Sequence, residues 1–307
     1  MAGTFRRGVG PDRRVWTSPN TEYGMTEVDM DRLPLPEFEP GRVRTLEEVG
    51  KPQKTVFMMP FCGKEPMIPI TQRSLRSLPT GEIQFVIYDN ANDAEFTDLL
   101  NNTVCSDLPN YTFIRDTNPP ASVDNHPDAM EMVVARCGQT FGSMFAHLPK
   151  TAELVGVLED DIEVPIDGYE KLRRVLDSDD RVATAVGVSH DRRFSYGARG
   201  EPIVFDFEVL SSLGSRTRDR RIQVCRLSER DFGVEPIGAA HTGFWLSRAR
   251  VVRDVGMGDY FDRSTQLMGH DVLWGLHVNE AQHIMAVDWS LKCNHWYSEQ
   301  EGELNFI

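Results

Sequence analysis

The sequence has no run of about eighteen apolar residues, so no helix is expected to cross a membrane. Arg6, Arg7, Arg13 and Arg14 lie near the N-terminus without an apolar stretch after them, which is not the pattern of a secretory leader. These absences point to a cytoplasmic protein. Cysteine is scarce and scattered: Cys62, Cys105, Cys137, Cys225 and Cys293 form no CxxC pair and are odd in number. This argues against a disulfide framework or zinc knuckle and for buried thiols in a reducing compartment. Positive charge is also short. With 33 basic against 47 acidic residues the formal charge is −14, a surface that disfavours non-specific contact with a phosphate backbone.

What is present suffices for a globular fold. A chain of 307 residues, 40% hydrophobic and 26% charged, can bury a core without disulfides as one large domain or two small units sharing a sheet. Residues 1–53 read as an N-terminal extension. Prolines at alternate positions in Leu33-Pro34-Leu35-Pro36 exclude helix there, leaving either a tail or an extended strap across the core.

From Lys54 a regular rhythm begins. Thr55–Met59 is an apolar run that reads as a buried strand ending at Pro60. A helix is predicted through Ile70, Leu75 and Leu78, and a second strand over Ile83–Tyr88. A third strand covers Tyr111–Arg115, a helix about 129–148, and a fourth strand Leu154–Leu158. Alternating strands and helices predict a Rossmann-like α/β fold with a central, mostly parallel sheet covered on both faces. In such sheets ligands sit at the carboxyl ends of the strands. Polar clusters follow the second and fourth strands: Asp89 with Asn90, and Glu159-Asp160-Asp161. Residues 54–190 are therefore expected to hold a ligand-binding half, with 191–307 as a less regular second half. In that second half strands are predicted over Val182–Val188 and Ile284–Asp288, a strand and helix over 242–250, and a helix over 270–281.

Three adjacent carboxylates at a strand end repel one another unless a cation joins them. A hard divalent ion with oxygen ligands fits, and it would also neutralise a diphosphate. Asp89 with its neighbours reads either as an Asx turn or as a carboxylate for a nucleobase. Asp271, following Gly269-His270, is placed to cap a helix or to act as a general base. His295, in Cys293-Asn294-His295-Trp296, joins the acidic site only if the chain returns it there.

Taken in order, these pieces resemble the inverting family-2-type glycosyltransferases of the A-type (GT-A) fold. The resemblance runs from about residue 54 to 297. It rests on the Pro60 loop, on Asp89-Asn90-Ala91-Asn92-Asp93, on Ala135-Arg136-Cys137-Gly138 and on Leu158-Glu159-Asp160-Asp161. Further on it rests on Gly243–Arg248, Gly258–Asp262, Gly269-His270-Asp271 and a final strand before His295. It implies a nucleotide-sugar donor, most simply UDP-linked, in a site built from Pro60, Asp89, Arg136, Glu159 and Asp160. It further implies Mn²⁺ or Mg²⁺ held by Asp161 with His295, and Asp271 as the base on an acceptor hydroxyl. Glu159 stands where the family has Asp, and His270 where it has Glu.

Arg216 to Arg230 holds six arginines, with Arg216, Arg218, Arg220 and Arg221 clustered, against Asp219 and Glu229, a local net of +4. This is a solvated loop or a dock for an anionic acceptor. A glycosyltransferase acting on a nucleic-acid base is thus one alternative, and a nucleotide-sugar-binding module without turnover is another. A nucleotidyltransferase is disfavoured because Pro60-Phe61-Cys62-Gly63-Lys64 is poor in glycine.

Overall fold

The computed structural model describes residues 14–17, 27–29, 44–61, 65–90, 94–116, 140–142, 144–193, 199–202, 204–210, 220–241, 243–255 and 270–297. The strands in chain order are β1 (Arg14–Thr17), β2 (Glu27–Asp29), β3 (Arg44–Val49), β4 (Thr55–Phe61), β5 (Ile83–Asp89), β6 (Tyr111–Asp116), β7 (Leu154–Leu158) and β8 (Ile162–Glu163). They continue as β9 (Val182–Arg193), β10 (Arg199–Pro202), β11 (Val204–Leu210), β12 (Arg220–Arg226), β13 (Val234–Ile237), β14 (Ala239–Ala240), β15 (Phe244–Arg248) and β16 (Ile284–Tyr297). The helices are α1 (Ile68–Leu75), α2 (Ala94–Thr103), α3 (Gly168–Ser178), α4 (Ala249–Val255) and α5 (His270–Glu280). Residues 140–142 and 144–146 are also helical.

The main sheet has eleven strands. Nine follow the order β13-β16-β9-β15-β7-β4-β5-β6-β3, with β10 on β9 and β8 on β16. Strands β7, β4, β5 and β6 are mutually parallel, as are β9 and β16. β15 runs antiparallel to both β7 and β9, which aligns β9 and β16 with the first four. Six strands therefore point one way, and their carboxyl ends form one edge.

Strand alternation between two covered faces explains why β4 and β5 are buried at every position and mostly apolar. Phe57, Met59, Phe85 and Ile87 enter one core with Leu75 of α1, Leu100 of α2 and Leu172 and Leu176 of α3. Val56, Met58, Val86 and Tyr88 enter another with Phe145, Val251 of α4 and Trp274 and Val278 of α5. Helices thus cover both faces, and each of these side chains contributes roughly 1.5–3 kcal/mol by leaving water. Two glycines permit close approaches. A Cβ on Gly275 of α5 would lie 2.2 Å from the Gly238 carbonyl oxygen beside β14, and one on Gly156 of β7 2.6 Å from the Phe57 ring.

Several elements differ from expectation. β9 and β16 run on to Arg193 and Tyr297, past the predicted ends, because they pair with each other along most of their length. His295 consequently lies inside the last strand and not after it. Residues 199–226 contribute three strands, β10 to β12, where irregular chain was expected. β11 and β12 belong to a second, five-stranded sheet of order β14-β11-β12-β1-β2. Its β1 and β2 come from the first 29 residues, and β3, also from the extension, edges the main sheet against β6.

Candidate active site

The fourth parallel strand, β7, ends at Leu158, and Glu159, Asp160 and Asp161 follow at the carboxyl edge. Asp160 and Asp161 are buried and Glu159 is half-buried. Their backbone is fastened from α1 and the turn that follows it. Thr71 Oγ1 donates to the Asp160 carbonyl at 2.8 Å, Ser74 Oγ to that of Ile162 at 2.7 Å, and Ser77 Oγ to that of Val164 at 3.2 Å. Hydroxyls three residues apart share one helix face. Here they meet alternate carbonyls of the segment after β7. Ser74 Oγ also accepts from Val164 N at 3.0 Å.

β8 then pairs with β16, with Ile162 opposite His295 and Glu163 opposite Asn294. This register brings the end of the chain back to the acidic segment: Trp296 N donates to the Asp161 carbonyl at 3.0 Å. His295 Nε2 lies 3.3 Å from Asp161 Oδ2, both side chains almost wholly buried. Burial pushes the neighbouring Glu163 carboxyl up, but hydrogen bonds from Arg73, Asn294 and Trp296 outweigh it and hold it below the ordinary carboxylate range.

A residue that the sequence reading missed completes the group. His241 lies just before β15, whose register sets Phe244 opposite Leu158 and hence Gly243 beside Glu159. Glu159 N donates to the Gly243 carbonyl at 2.9 Å. His241 Nε2 is 3.6 Å from Glu159 Oε2, and its ring centroid is 4.5 Å from that of His295. No local pattern marks His-Thr-Gly as functional; only the pairing of β15 with β7 does.

The remaining site residues are dispersed. Pro60 is buried within β4. Asp89 ends β5, two strand spacings (about 10 Å) from β7. It is fully buried, accepts from Thr97 Oγ1 at 2.6 Å and has Arg115 Nε at 3.9 Å. Asp271 is half-buried in the first turn of α5, inside the helix and not at its cap. Arg136, Arg216 and Arg218 lie outside the described residues, while Arg220 and Arg221 belong to β12 in the second sheet. Cys105 and Cys293 are buried, and the other three cysteines have no described side chain. Among the described residues no helix is long and apolar enough to cross a membrane.

Among the described residues no three His, Cys, Asp or Glu side chains form a ready-made metal set. The Asp161–His295 pair nevertheless fits a divalent ion. Two adjacent ligands of an octahedral ion with bonds of about 2.1 Å lie about 3 Å apart, close to the observed Oδ2–Nε2 separation. Mg²⁺-like ions are commonly held by one or two protein groups and completed by substrate phosphate and water.

No protein-family model matches the chain, and neither does any curated protein sequence. Solved structures do. GalNAc-T7 with UDP, GalNAc and Mn²⁺ aligns with a TM-score of 0.54 at 10% identity, over 80% of this chain and 44% of that one. S. aureus TarS 1–349 aligns at 0.48 and 10% identity, over 80% of this chain and 60% of that one. Its complex with UDP-GlcNAc gives 0.49 and 11%, over 81% and 60%. The chain thus spans roughly half the length of these structures. The likeness to GalNAc-T7 shows the GT-A fold: mixed α/β around a large, mostly parallel central sheet.

Proposed function

We propose that this protein is a glycosyltransferase that moves a sugar from a UDP-linked donor to a hydroxyl acceptor, with inversion and with Mn²⁺ or Mg²⁺ as cofactor. The observation that carries this reading is the buried Asp161–His295 pair beside Glu159, on the carboxyl edge of a GT-A sheet. That edge is where nucleotides bind in open α/β sheets.

Asp161 and His295 would hold the ion, which when bound supplies positive charge against the diphosphate. Glu159 and Asp160 line the ribose and diphosphate side, Asp89 accepts from the base near Pro60, and Arg136 binds the nucleotide phosphates. Asp271 takes the proton of the acceptor hydroxyl as its oxygen bonds to the anomeric carbon and the bond to the diphosphate breaks. A single displacement of this kind inverts the anomeric centre.

The test begins with the melting temperature of the full chain with UDP, with and without Mn²⁺. A ligand present at a hundred times its Kd stabilises by about 2.7 kcal/mol, readily seen as a shift. The expected result is a shift with UDP that needs the ion and is lost in Asp161→Asn. Asp271→Asn should keep that shift and lose transfer, read as UDP released from UDP-sugars in the presence of hydroxyl acceptors. No shift with any nucleotide, with or without metal, would remove the reading.

A further inference from the structure

Resting on that reading of the site, we infer that His241 is a positioning residue that ties Glu159 and the Asp161–His295 pair into one unit through a single imidazole tautomer.

The contacts form a closed circuit. Glu159 N donates to the Gly243 carbonyl at 2.9 Å, and Gly243 N donates to His241 Nδ1 at 3.2 Å. His241 Nε2 then faces Glu159 Oε2 across 3.6 Å, just beyond hydrogen-bond length. A nitrogen that accepts from a backbone N–H carries no proton, so the proton of the neutral ring sits on Nε2, directed at the carboxylate. The circuit requires glycine at 243. A Cβ there would lie 2.5 Å from Ile162 side-chain atoms and 2.8 Å from His241 Nδ1. Ile162 is in turn the residue paired with His295 across β8 and β16.

The second face of the ring completes the link. The His241 and His295 rings lie 4.5 Å apart at 35°, which restricts the rotation of His295 and so the direction of the Nε2 that meets Asp161. Outer groups that orient metal-binding histidines act in this way. His241 therefore bears on the nucleotide side through its nitrogens and on the Asp161 side through its ring plane. Removing one property at a time separates the two effects.

His241→Phe keeps a ring against His295 and deletes both nitrogens. His241→Gln keeps an N–H donor and deletes the ring. His241→Ala deletes both. Calorimetric titration of UDP at saturating Mn²⁺, and of Mn²⁺ at saturating UDP, reads the two sides. His241→Phe is expected to weaken UDP about tenfold with little change for Mn²⁺, and His241→Gln to weaken Mn²⁺ about tenfold. His241→Ala should do both, in line with the roughly 10- to 100-fold losses typical of outer orienting groups. Melting curves without ligand identify any variant that fails to fold. Long-range ¹H–¹⁵N correlation on the wild-type chain should show the proton of His241 on Nε2, an observation independent of nucleotide and metal. The inference is overturned if folded Phe and Ala variants bind UDP and Mn²⁺ like the wild type, or if the proton is on Nδ1. If the wild type itself binds neither, the glycosyltransferase reading fails first, and the separate spectroscopic result identifies that case.

Discussion

Thr71 spends its hydroxyl on the Asp160 carbonyl, in a bond buried on both sides. Valine has nearly the same shape and cannot donate, so Thr71→Val leaves a buried carbonyl short of a partner at a cost of about 1–3 kcal/mol. Urea unfolding should show that loss and its recovery in Thr71→Ser. Glu229 behaves differently, because its effect depends on pH. The Lys292 ammonium hydrogen-bonds its carboxylate and outweighs the upward push of partial burial. With His190 Nε2 3.2 Å away as well, the carboxyl lies below its ordinary range. A carboxyl whose pKa falls on folding stabilises the native state above its unfolded pKa, and that stabilisation is lost as pH drops through the folded value. The melting-temperature gap between wild type and Glu229→Gln should therefore be largest near neutrality, hold down to about pH 4.5, and close below it.

At the scale of elements, α5 is seated by an absence. Gly275 lets the helix rest on the backbone beside β14, and Asn279 Nδ2 reaches the Gly238 carbonyl at 3.2 Å, one turn on. Gly275→Ala improves helix propensity by about 1 kcal/mol, yet it drives a methyl into backbone that cannot rotate away. A net destabilisation of about 1–3 kcal/mol is expected by calorimetry, with a changed near-ultraviolet signal from Trp274. The same distinction governs what could be read from sequence. β4, β5 and β7 announced themselves because every residue of each is buried, and a nearly continuous apolar run is a local property. The acidic ends of β5 and β7 were legible because carboxylates follow directly on an apolar run, although Asp89, Asp160 and Asp161 are themselves buried. β11 carried a signal that was passed over, since Phe205-Asp206-Phe207-Glu208-Val209 alternates as a half-buried strand does, whereas Arg220-Arg221-Ile222-Gln223 of β12 shows no such period. β12 also takes a partner, β1, that lies some two hundred residues away in sequence. His241 shows the same limit at the site, because its meaning comes from a strand register and not from its neighbours.

At the scale of the molecule, the N-terminal strands divide between the two sheets. β1 and β2 extend the second sheet from β12, while the strands that carry the acidic site pair only within the main sheet. A chain lacking residues 1–43 should therefore keep the UDP and metal binding proposed above while residues 204–210 and 220–226 exchange amide hydrogens faster, measured by mass spectrometry. The row of hydroxyls on α1 and the turn after it carries a last consequence. Thr71, Ser74 and Ser77 grip carbonyl oxygens, which every amino acid possesses, and so they hold the acidic segment whatever its side chains are. Placement of this segment and the identity of its side chains are thereby separable: a lineage can exchange one carboxylate for another here without moving the scaffold beneath it.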